Sequence, residues 1–551
     1  MRQALRRNVS RQQVSIGRSI PAPVGGWDAQ NPLAKMPAIN AVLLDNWIPR
    51  PGYCEMRAGY AVQATGTGDV ETLAVYRGAS SGSDQIFACG NDRIYDVTVQ
   101  GASPTEIGSG YTSNRWSYVN FANDAGAFMI LVNGVDTPLK YNGSTLSTTA
   151  ITGSSGAITL DPDTLVDVMA HKRRLFFIES GTMRVWYLAT NAIAGAASLL
   201  DLGPVFQMGG VLECMSTWSL DGGQGADDFA VFMTNQGEVA VYQGTNPDET
   251  TEWALIGVYH IGLPLGRRSL MKYGADLVAI TTDGVVPLSQ ALKLDRGQED
   301  LVALTAKIQN AFSTSAQLYR TNFGWQGMLY PQGSLAIVNV PTGELSTAVQ
   351  YVQNVQTGSW CRFTGMNAFC WAIANDKPYF GAADGVYQWD TGAADNGDPI
   401  VADLQPAFNA FGQSGVQKKF TMLRPVIKAP NAVRPALEML VDFQSKVPTA
   451  VPTVVGTTEA SWDESLWDDS AWVDPNAIRY DWTTVTGLGY FGAPRMQVSI
   501  QSTTSSDLST GGGDVLVTGG GDTLITESAL SSPVTVQCIG FDVLFQPGGQ
   551  L

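Results

Sequence analysis

Short apolar runs separated by tight turns recur along most of this chain, and residues 228–247 (DFAVFMTNQGEVAVYQGTNP) show the repeated unit most clearly. An apolar run at 231–233 is followed by Asn-Gln-Gly at 235–237, and the apolar pattern then resumes at 239–242. A turn signal between two short apolar runs is typical of a β-hairpin. Related units occupy residues 86–95, 130–141, 175–186, 277–288 and 379–389, and a weaker copy ends at residue 351.

The residues that close these hairpins recur at intervals of 38 to 63 residues. They are Tyr95, Tyr141, Trp186, Tyr242, Leu288, Tyr351 and Trp389. The intervals scatter about the roughly 40 to 50 residue repeat of propeller blades. A blade is a small four-stranded sheet that buries its faces against neighbouring blades around a central axis. We therefore predict an all-β fold with a β-propeller of six or seven blades over residues 61–392.

The pattern changes over residues 393–551, where we predict a second β domain that resembles a sandwich. Strand-like segments lie at 421–427, 436–443, 496–500 and 534–545, and the last of them alternates as a strand with one buried face does. Pro425 interrupts the first segment, and proline cannot donate a hydrogen bond to a neighbouring strand. That segment is therefore predicted to be an edge strand.

Two insertions separate these C-terminal strands. Residues 461–473 place Trp462, Trp467 and Trp472 five residues apart among four acids. That spacing fits neither a strand face nor a helix face, and the acids lack the order of an EF-hand loop. A packed excursion, a subunit-interface anchor and a metal site are the three interpretations. Residues 505–532 are rich in Gly, Ser and Thr, as in a pair of flexible hairpins or a mobile rim loop.

The N-terminal 60 residues divide into a basic arm and a Pro-rich segment. Residues 1–20 contain five arginines and no acid, which is typical either of a disordered tail or of an arm that orders on an acidic neighbour. Residues 21–60 are interrupted by prolines but carry several aromatic residues of the kind found in cores, so we predict an ordered, irregular docking segment. The arginines of the arm are Arg2, Arg6, Arg7, Arg11 and Arg18.

Composition narrows the possible functions. The 551 residues carry a formal net charge of −17, so the chain lacks the general basic character that grips nucleic acid through its phosphates. The six cysteines are scattered without a C-x-x-C pair, as expected of reduced thiols in a core. We find no secretory h-region and no apolar run of membrane-spanning length, and we expect a soluble protein made in the cytoplasm.

Sequence motifs for catalysis are weak. Only two histidines are present, which limits paired-histidine metal sites and histidine relays. Residues 78–82 match G-x-S-x-G, but a strand pattern follows where a nucleophile elbow needs a helix. Residues 219–223 match half of an aspartate box without its aromatic ending. We predict no enzyme activity, no cofactor and no metal, although converging arginines and a Tyr–Glu pair of a glycan-cleaving propeller would leave no sequence motif.

Several short motifs resemble a family of structural proteins from podophages and prophages, the tail tubular or tail nozzle class. They lie at residues 23–26, 31–33, 36–37, 44–52 (LDNWIPRPG), 57–60 (RAGY), 171–176 (HKRRLF), 237–244 (GEVAVYQG), 257–268 (GVYHIGLPLGRR) and 548–551. The resemblance implies a virion protein, synthesised in the host cytoplasm, that forms the distal ring of a short tail. It further implies a homohexamer that docks on the adaptor ring of the portal–tail complex, contacts tail fibres, and passes genomic DNA without sequence-specific binding while gating its ejection.

The candidate site residues follow from these interpretations. For docking on the adaptor ring, the candidates are Arg2, Arg6, Arg7, Arg11, Arg18, Trp47 and Arg50. The basic clusters at residues 171–174 and 267–268 are interpreted either as solvated turns or as subunit contacts. The second interpretation is possible because a guanidinium suits the carboxylates of a neighbouring subunit. With the tryptophans of the insertion, the interface candidates are Arg173, Arg174, Arg267, Arg268, Trp462, Trp467 and Trp472. The alternative function is a receptor-binding or glycan-cleaving propeller of a tail fibre or spike.

Overall fold

The structure is a computed structural model that describes residues 15–78, 82–221, 226–249, 251–291, 302–429, 433–448, 453–455, 478–479, 481–501 and 536–548. The chain forms two compact units, one of residues 58–398 and one assembled from the chain ends up to residue 57 and from residue 399. β-Strands dominate both units. The predicted all-β class is confirmed.

Five strands come before the propeller and belong to the unit made from the chain ends. They are β1 (Ile16–Pro21), β2 (Gly26–Trp27), β3 (Asn40–Asp45), β4 (Trp47–Arg50) and β5 (Tyr53–Met56). The next strand, β6 (Tyr60–Thr65), belongs to the propeller.

Blades 1 to 4 follow in chain order, and each has four consecutive antiparallel strands. Blade 3 carries two additional strands at its outer edge, because β15 pairs in parallel with β20. Blade 1 contains β7 (Thr72–Tyr76), β8 (Gln85–Gly90), β9 (Arg93–Asp96) and β10 (Thr105–Ser109); blade 2 contains β11 (Ser117–Asn123), β12 (Gly126–Val132), β13 (Leu139–Tyr141) and β14 (Leu146–Thr148); blade 3 contains β15 (Ile151–Ser155), β16 (Ile158–Thr159), a 3-10 turn (Pro162–Thr164), β17 (Leu165–His171), β18 (Arg174–Glu179), β19 (Arg184–Tyr187) and β20 (Gly195–Asp201); blade 4 contains β21 (Leu212–Asp221), β22 (Ala226–Thr234), β23 (Glu238–Gly244) and β24 (Trp253–His260).

Blades 5 to 7 complete a ring of seven. In blade 5 the part of the chain that the structure describes has three strands followed by helical segments. Blade 5 contains β25 (Leu270–Tyr273), β26 (Asp276–Thr281), β27 (Gly284–Pro287), α1 (Leu288–Ala291), a 3-10 turn (Ala306–Ile308) and α2 (Gln309–Tyr319); blade 6 contains β28 (Gln326–Tyr330), β29 (Leu335–Pro341), β30 (Ala348–Asn354) and β31 (Ser359–Phe363); blade 7 contains β32 (Cys370–Ala374), β33 (Lys377–Ala382) and β34 (Gly385–Trp389), and β35 (Ala394–Asp395) follows it.

The ring is closed by a strand from the other end of the propeller. β6 pairs antiparallel with β34, from Tyr60 opposite Trp389 to Thr65 opposite Gly385. Blade 7 therefore takes its outermost strand from residues that precede blade 1. The predicted β-propeller is confirmed, and the blade number is seven.

Apolar side chains that alternate along the strands pack between adjacent blades. Separate buried clusters fill the spaces between blades 1 and 2, 2 and 3, 3 and 4, and 4 and 5. A further cluster joins blade 7 and β6 to blade 1 and contains Val386, Ala64 and Val75. Since each blade buries both faces against its neighbours, the packing explains why the repeated hairpin pattern is stable only as a closed ring.

The remaining strands belong to the terminal unit and form two sheets with β1 to β5. They are β36 (Asp398–Pro406), β37 (Lys418–Lys428), β38 (Ala436–Val441), β39 (Thr453–Val455), β40 (Ile478–Arg479), β41 (Thr483–Gly489), β42 (Gly492–Gln501) and β43 (Gln537–Pro547). One sheet is built around β37 and β43, and the other around β36 and β42. Gly492 in β42 lies against the ring of Phe420 in β37, so closely that an added Cβ would come within 2.6 Å of the ring. The two sheets therefore pack face to face in the predicted sandwich arrangement.

Two features of the terminal unit differ from the sequence prediction. β37 is an interior strand, since β43 pairs with one side and β41 and β40 pair with the other. The edge-strand prediction is therefore wrong. On the second side β41 pairs only as far as Leu423 and β40 begins at Ile427, so Pro425 lies in a gap between these two partners.

The second difference concerns the N-terminal 60 residues. Residues 16–20 of the predicted arm are part of β1, which pairs with β43 along its whole length. Within the predicted docking segment, β3 pairs with β36 and β5 with β43. Residues 15–57 are thus an integral part of the C-terminal β domain.

Candidate functional site

The first strand of every blade lies at the propeller axis. A cavity of about 230 Å³ between these strands is bounded by residues from all seven blades. One lining residue from each blade, in order, is Thr72, Ser117, Asp167, Met215, Leu270, Gln326 and Trp371. The axis is therefore narrow and surrounded by packed strands.

A larger cavity of about 700 Å³ lies where several of these axial strands begin. Its wall is formed by the starts of β11, β17 and β21 and by the loops 263–268 and 320–325 that precede β25 and β28. The volume falls within the range of about 300 to 1,000 Å³ that small-ligand sites occupy. It is too small for a DNA duplex, whose major groove alone is about 12 Å wide.

Polar side chains join the axial strands of blades 2, 3 and 4 below this cavity. Ser117 Oγ donates to Asp167 Oδ1 at 2.5 Å, and the Met215 backbone N–H donates to Asp167 Oδ2 at 3.1 Å. The Val168 N–H adds a third hydrogen bond to the same carboxyl group at 3.0 Å. One carboxyl group thus holds three blades in register at the axis.

Arg268 lies at the floor of the larger cavity and also lines the narrow one. Its guanidinium donates to the Glu71 carbonyl at 3.0 Å, to Thr72 Oγ1 at 2.7 Å and to the Trp116 carbonyl at 3.2 Å. All of these acceptors are uncharged. Burial lowers the pKa of Arg268, and the positive charge of Arg267 adds to the effect. The hydrogen-bond acceptors of its guanidinium are therefore neutral dipoles and not carboxylates.

Arg115, at the side of the cavity, is neutralised by carboxylates. Its Nε lies 2.5 Å from Glu71 Oε2, and its Nη2 lies 2.9 Å from Glu344 Oε1. Burial opposes the charged form, but the two acids outweigh it and raise the pKa of Arg115. The Phe323 ring lies 4.2 Å from the Arg115 Cζ and 5.1 Å from the Arg268 Cζ, so it fixes both guanidinium groups.

Arg267 and Arg320 are the exposed arginines of the cavity. Within the described part of the chain, neither makes an ion pair within 4.0 Å or a side-chain hydrogen bond. Arg267 acts electrostatically on Asp167 and Glu213, but at longer range. Both guanidinium groups have donors to offer to a ligand.

Two carboxyl groups in the cavity titrate unusually. Burial raises the pKa of Asp167 to about 6, although its hydrogen bonds from Ser117, Met215 and Val168 and the charge of Arg267 oppose the shift. Burial also raises the pKa of Glu213, and Arg267 again opposes the shift. Carboxyl groups with raised pKa in a cleft are typical of functional sites. The arrangement combines anion-binding donors with groups that exchange protons.

The structure places the basic clusters predicted from the sequence in two different environments. Arg173 is exposed in the turn between β17 and β18. Arg174 donates to the Leu188 carbonyl at 3.3 Å and to Asn246 Oδ1 at 3.1 Å. Arg267 and Arg268 instead line the axial cavity, and the hydrogen bonds of Arg268 are made within its own chain. The exposed Arg173 and Arg267 agree with the solvated-turn interpretation, and the subunit-contact interpretation stays a prediction.

The candidate docking residues in the terminal unit also lie in different environments. Trp47 is fully buried, and Arg50 pairs with Glu55 at 3.2 Å across the β4–β5 hairpin. Arg18 is exposed on β1 opposite Val543. Of the predicted residues, the following lie outside the described part of the chain: Arg2, Arg6, Arg7, Arg11, Trp462, Trp467 and Trp472, together with residue 80 of the G-x-S-x-G match and the whole of 505–532.

Sequence reasoning missed Arg115, Asp167, Glu213 and Arg320 as site residues. Asp167 and Glu213 each interrupt an apolar run near the start of the first strand of a blade. A charged residue at that position in successive repeats is the signal that would have identified the axial site. Arg115 and Arg320 lie in loops, where the sequence carries no comparable signal.

The described ranges show neither a metal-binding group nor a disulfide. No group of three or more His, Cys, Asp or Glu side chains there is placed to hold a metal ion. The six cysteines are buried and none forms a disulfide. No helix in these ranges is both long enough and apolar enough to cross a membrane.

Comparison with known proteins leaves the family of this chain open. No protein-family model matches it, and neither does any curated protein. Among solved structures, the chain is similar to BBS1N in its complex with ARL6DN, in crystals soaked with mercury or with lead. The identity is 10% and the TM-score 0.38 for both, with 61% and 64% of this chain covered and 97% and 99% of the other. The propeller assignment rests on the strand pairing of the seven blades.

Proposed function

We propose that this chain is a structural virion protein, a subunit of the nozzle ring at the end of the tail of a short-tailed phage. The proposal rests first on the sequence motifs that resemble that class. Two of them, at residues 44–52 and 548–551, lie at opposite ends of the chain. Strands β4, β5 and β43, which contain or adjoin these motifs, belong to one sheet. A single β domain that brings these two motifs into or beside one sheet supports a shared docking function.

The observation that carries the conduit role is the closed propeller axis. Since the axial cavities are of ligand size and Arg268 occupies the narrow part, DNA has no route along the axis of the described propeller. A conduit must then be the lumen between several copies. Identical subunits close a ring through a heterologous interface, which needs two different patches on each copy. We propose six copies, docked on the adaptor ring and contacting tail fibres.

The excess of 17 negative charges agrees with a conduit that repels the DNA backbone. A wall with basic contacts would hold phosphates strongly and slow the passage of the genome. We propose that DNA passes without sequence-specific binding and that the protein catalyses no reaction. Acidic loops at the lumen, with 505–532 as the candidate gate, would retain the genome before ejection.

Electron microscopy of purified phage particles tests this proposal. We expect six copies of the chain in a ring at the distal end of the tail, with density for each propeller outside a central lumen. A three-fold spike at that position, or the chain in a fibre, would contradict the nozzle assignment. A lumen lined continuously by basic residues would contradict the repulsive conduit.

A receptor-binding or glycan-cleaving propeller is the second candidate function. The specific observation in its favour is the axial cavity, where arginines lie close to carboxyl groups with raised pKa. Incubation of the protein with host polysaccharide tests cleavage. Products that disappear with Glu213→Gln, but persist with Glu249→Gln outside the cavity, would establish this candidate in place of the structural one.

A further inference from the structure

Two of the loops that carry arginines into the axial cavity are held in place by hydrogen bonds. In the loop before β28, Trp325 Nε1 donates to the Tyr319 carbonyl at 2.9 Å and Asn322 Nδ2 to the Pro341 carbonyl at 3.0 Å. The Phe323 N–H donates to Glu344 Oε2 at 2.7 Å. Arg320 therefore extends from a fixed backbone.

The loop before β25 is held in the same way. The Leu263 N–H donates to Thr282 Oγ1 at 3.2 Å, the Thr282 N–H donates back to the Leu263 carbonyl at 2.9 Å, and the Leu265 N–H donates to the Ile280 carbonyl at 3.1 Å. Arg267 and Arg268 follow directly. A site that is already ordered loses little conformational freedom on binding, which favours affinity for a small ligand.

The arginines of the cavity differ in their short-range carboxylate partners, and Asp167 and Glu213 act on Arg267 only at longer range. Of the four arginines that line the cavity, Arg115 alone makes ion pairs with carboxylates within 4.0 Å among the described residues. Arg268 is surrounded by uncharged acceptors, and its neighbour in sequence is also a cation. A buried charge without a counter-ion is costly, and an anion placed between Arg267 and Arg268 would relieve that cost.

The acids of the cavity favour a singly charged anion. Asp167 and Glu213 lie near Arg267 and repel a second negative charge, so a phosphate dianion is disfavoured relative to a carboxylate. Gln236 and Thr321 provide neutral polar groups that suit hydroxyls rather than a second charge.

We propose that the axial cavity binds an acidic sugar, with its carboxylate held by Arg267 and Arg320 at the mouth and Arg268 at the floor. The planar guanidinium fork matches a carboxylate in two parallel hydrogen bonds. The volume of about 700 Å³ has room for one or two sugar rings. The same chemistry would serve a free sugar acid or the end of an acidic surface polysaccharide. The inference is independent of the ring assembly proposed above.

Calorimetric titration of the full-length protein tests the site. The probes are N-acetylneuraminic acid and glucuronic acid, with N-acetylglucosamine as the neutral sugar and inorganic phosphate as the alternative anion. We expect saturable binding of at least one acid and none of the neutral sugar. No binding of either acid at millimolar concentration would overturn the site, and tighter binding of phosphate would overturn the choice of a carboxylate.

Variants locate the binding in the cavity. Arg267→Gln and Arg320→Gln should each weaken binding by roughly tenfold or more, since each removes charged hydrogen bonds. Arg173→Gln, which changes an exposed arginine in a turn of blade 3, is the matched control and should bind as the wild type does. Thr321→Trp should block the cavity without changing its charge. Unchanged affinity in the cavity variants, with unfolding temperatures equal to that of the wild type, would exclude this location.

A terminal sugar of a polymer and a free sugar acid are separated by a second titration. An oligosaccharide with the acid at its non-reducing end should bind with at least the affinity of the monomer if the cavity reads a polysaccharide terminus. Weaker binding of the oligosaccharide would assign the site to the free acid. Either result leaves the six-fold ring unaffected, so the two proposals fail separately.

Discussion

Lys172 and Arg173 form the two-residue turn between β17 and β18, with φ of 46° and 64°. Two-residue hairpin turns of this kind favour Asn-Gly, because a side chain with positive φ is strained. We expect Arg173→Gly to relieve this strain and to raise the free energy of unfolding by up to about 1 kcal/mol. Glycine also increases the conformational entropy of the unfolded chain, and this effect reduces the gain. Denaturant unfolding measures the change.

Arg174→Gly is the control for that substitution. It removes the hydrogen bonds to the Leu188 carbonyl and Asn246 from a residue that lies in a strand, so it should destabilise the protein. Equal destabilisation by both variants would show that Arg173 makes a stabilising contact that outweighs its backbone strain.

Asp167 is expected to make stability depend on pH. Burial raises its pKa from an ordinary value of 3.8 to about 6 in the folded protein, so the folded state binds the proton more tightly than the unfolded state does. Its contribution is therefore largest below pH 4 and is lost as the pH rises towards 6. The loss amounts to about 3 kcal/mol at most, at about 1.4 kcal/mol per pKa unit.

The measurement is the midpoint of thermal unfolding at pH 4 and pH 7 for the wild type and Asp167→Asn. The variant will be less stable at the lower pH, since an amide cannot accept all three hydrogen bonds of the carboxyl group. The difference between the two pH values should be smaller in the variant. If that difference is the same in both proteins, Asp167 does not titrate in this range.

At the scale of elements, closure of the propeller ring depends on strand β6, which pairs with β34. The buried cluster that includes Ala64 and Val386 joins blade 7 to blade 1, so releasing β6 exposes apolar surface on both blades. We expect the amides of β6 to exchange with deuterium as slowly as those of β34. The amides of β14, the outermost strand of blade 2, should exchange faster because no closure depends on them.

A substitution tests the same element. Val62 pairs with Tyr387, and Val62→Pro should accelerate exchange throughout blades 7 and 1 because proline disrupts the strand pairing. Acceleration confined to β6 would show that the ring does not depend on this closure.

β24 is the element best suited to contact a neighbouring subunit. It is the outer strand of blade 4, and among the described strands it pairs with β23 alone. It exposes Leu255, Ile256 and Val258 by 43%, 49% and 36%. An exposed apolar edge strand is a site for association. Ile256→Lys should reduce incorporation of the subunit into particles without changing its unfolding temperature. Val99→Lys, at an exposed apolar residue of blade 1, is the control and should assemble normally.

At the scale of the whole molecule, docking depends on where the basic arm ends. Since residues 16–20 are part of β1, deletion of residues 1–14 removes four arginines and leaves this strand intact. We expect that deletion to weaken attachment to the adaptor ring at low salt, with the unfolding temperature unchanged. Replacement of the four arginines by lysines should preserve attachment. Normal loading of the deleted protein onto tails at low and high salt would exclude the arm from docking.

The local pattern of the sequence was sufficient to predict the propeller. Hairpins such as residues 228–247 combine alternating strands with turn residues that are neighbours in the chain, and these signals act over a few residues. Seven blades follow the predicted hairpins, and the repetition of the hairpins implied a closed ring because one blade cannot bury both of its faces by itself. The second β domain was likewise predicted from local strand patterns, such as the alternation at residues 534–545.

Only the tertiary structure decided how distant segments combine. β6 completes blade 7, β1 and β5 pair with β43, and Pro425 is tolerated in an interior strand because its neighbours leave a gap. The axial site likewise joins Arg115, Asp167, Arg267 and Arg320 from four blades and their loops. Arg115 and Arg320 carry no signal in their local sequence, and nothing local links Asp167 to Arg267. Ring closure brings the starts of the axial strands together, and it therefore brings these side chains close to one another. It also removes part of the site from water, which raises the pKa of Asp167.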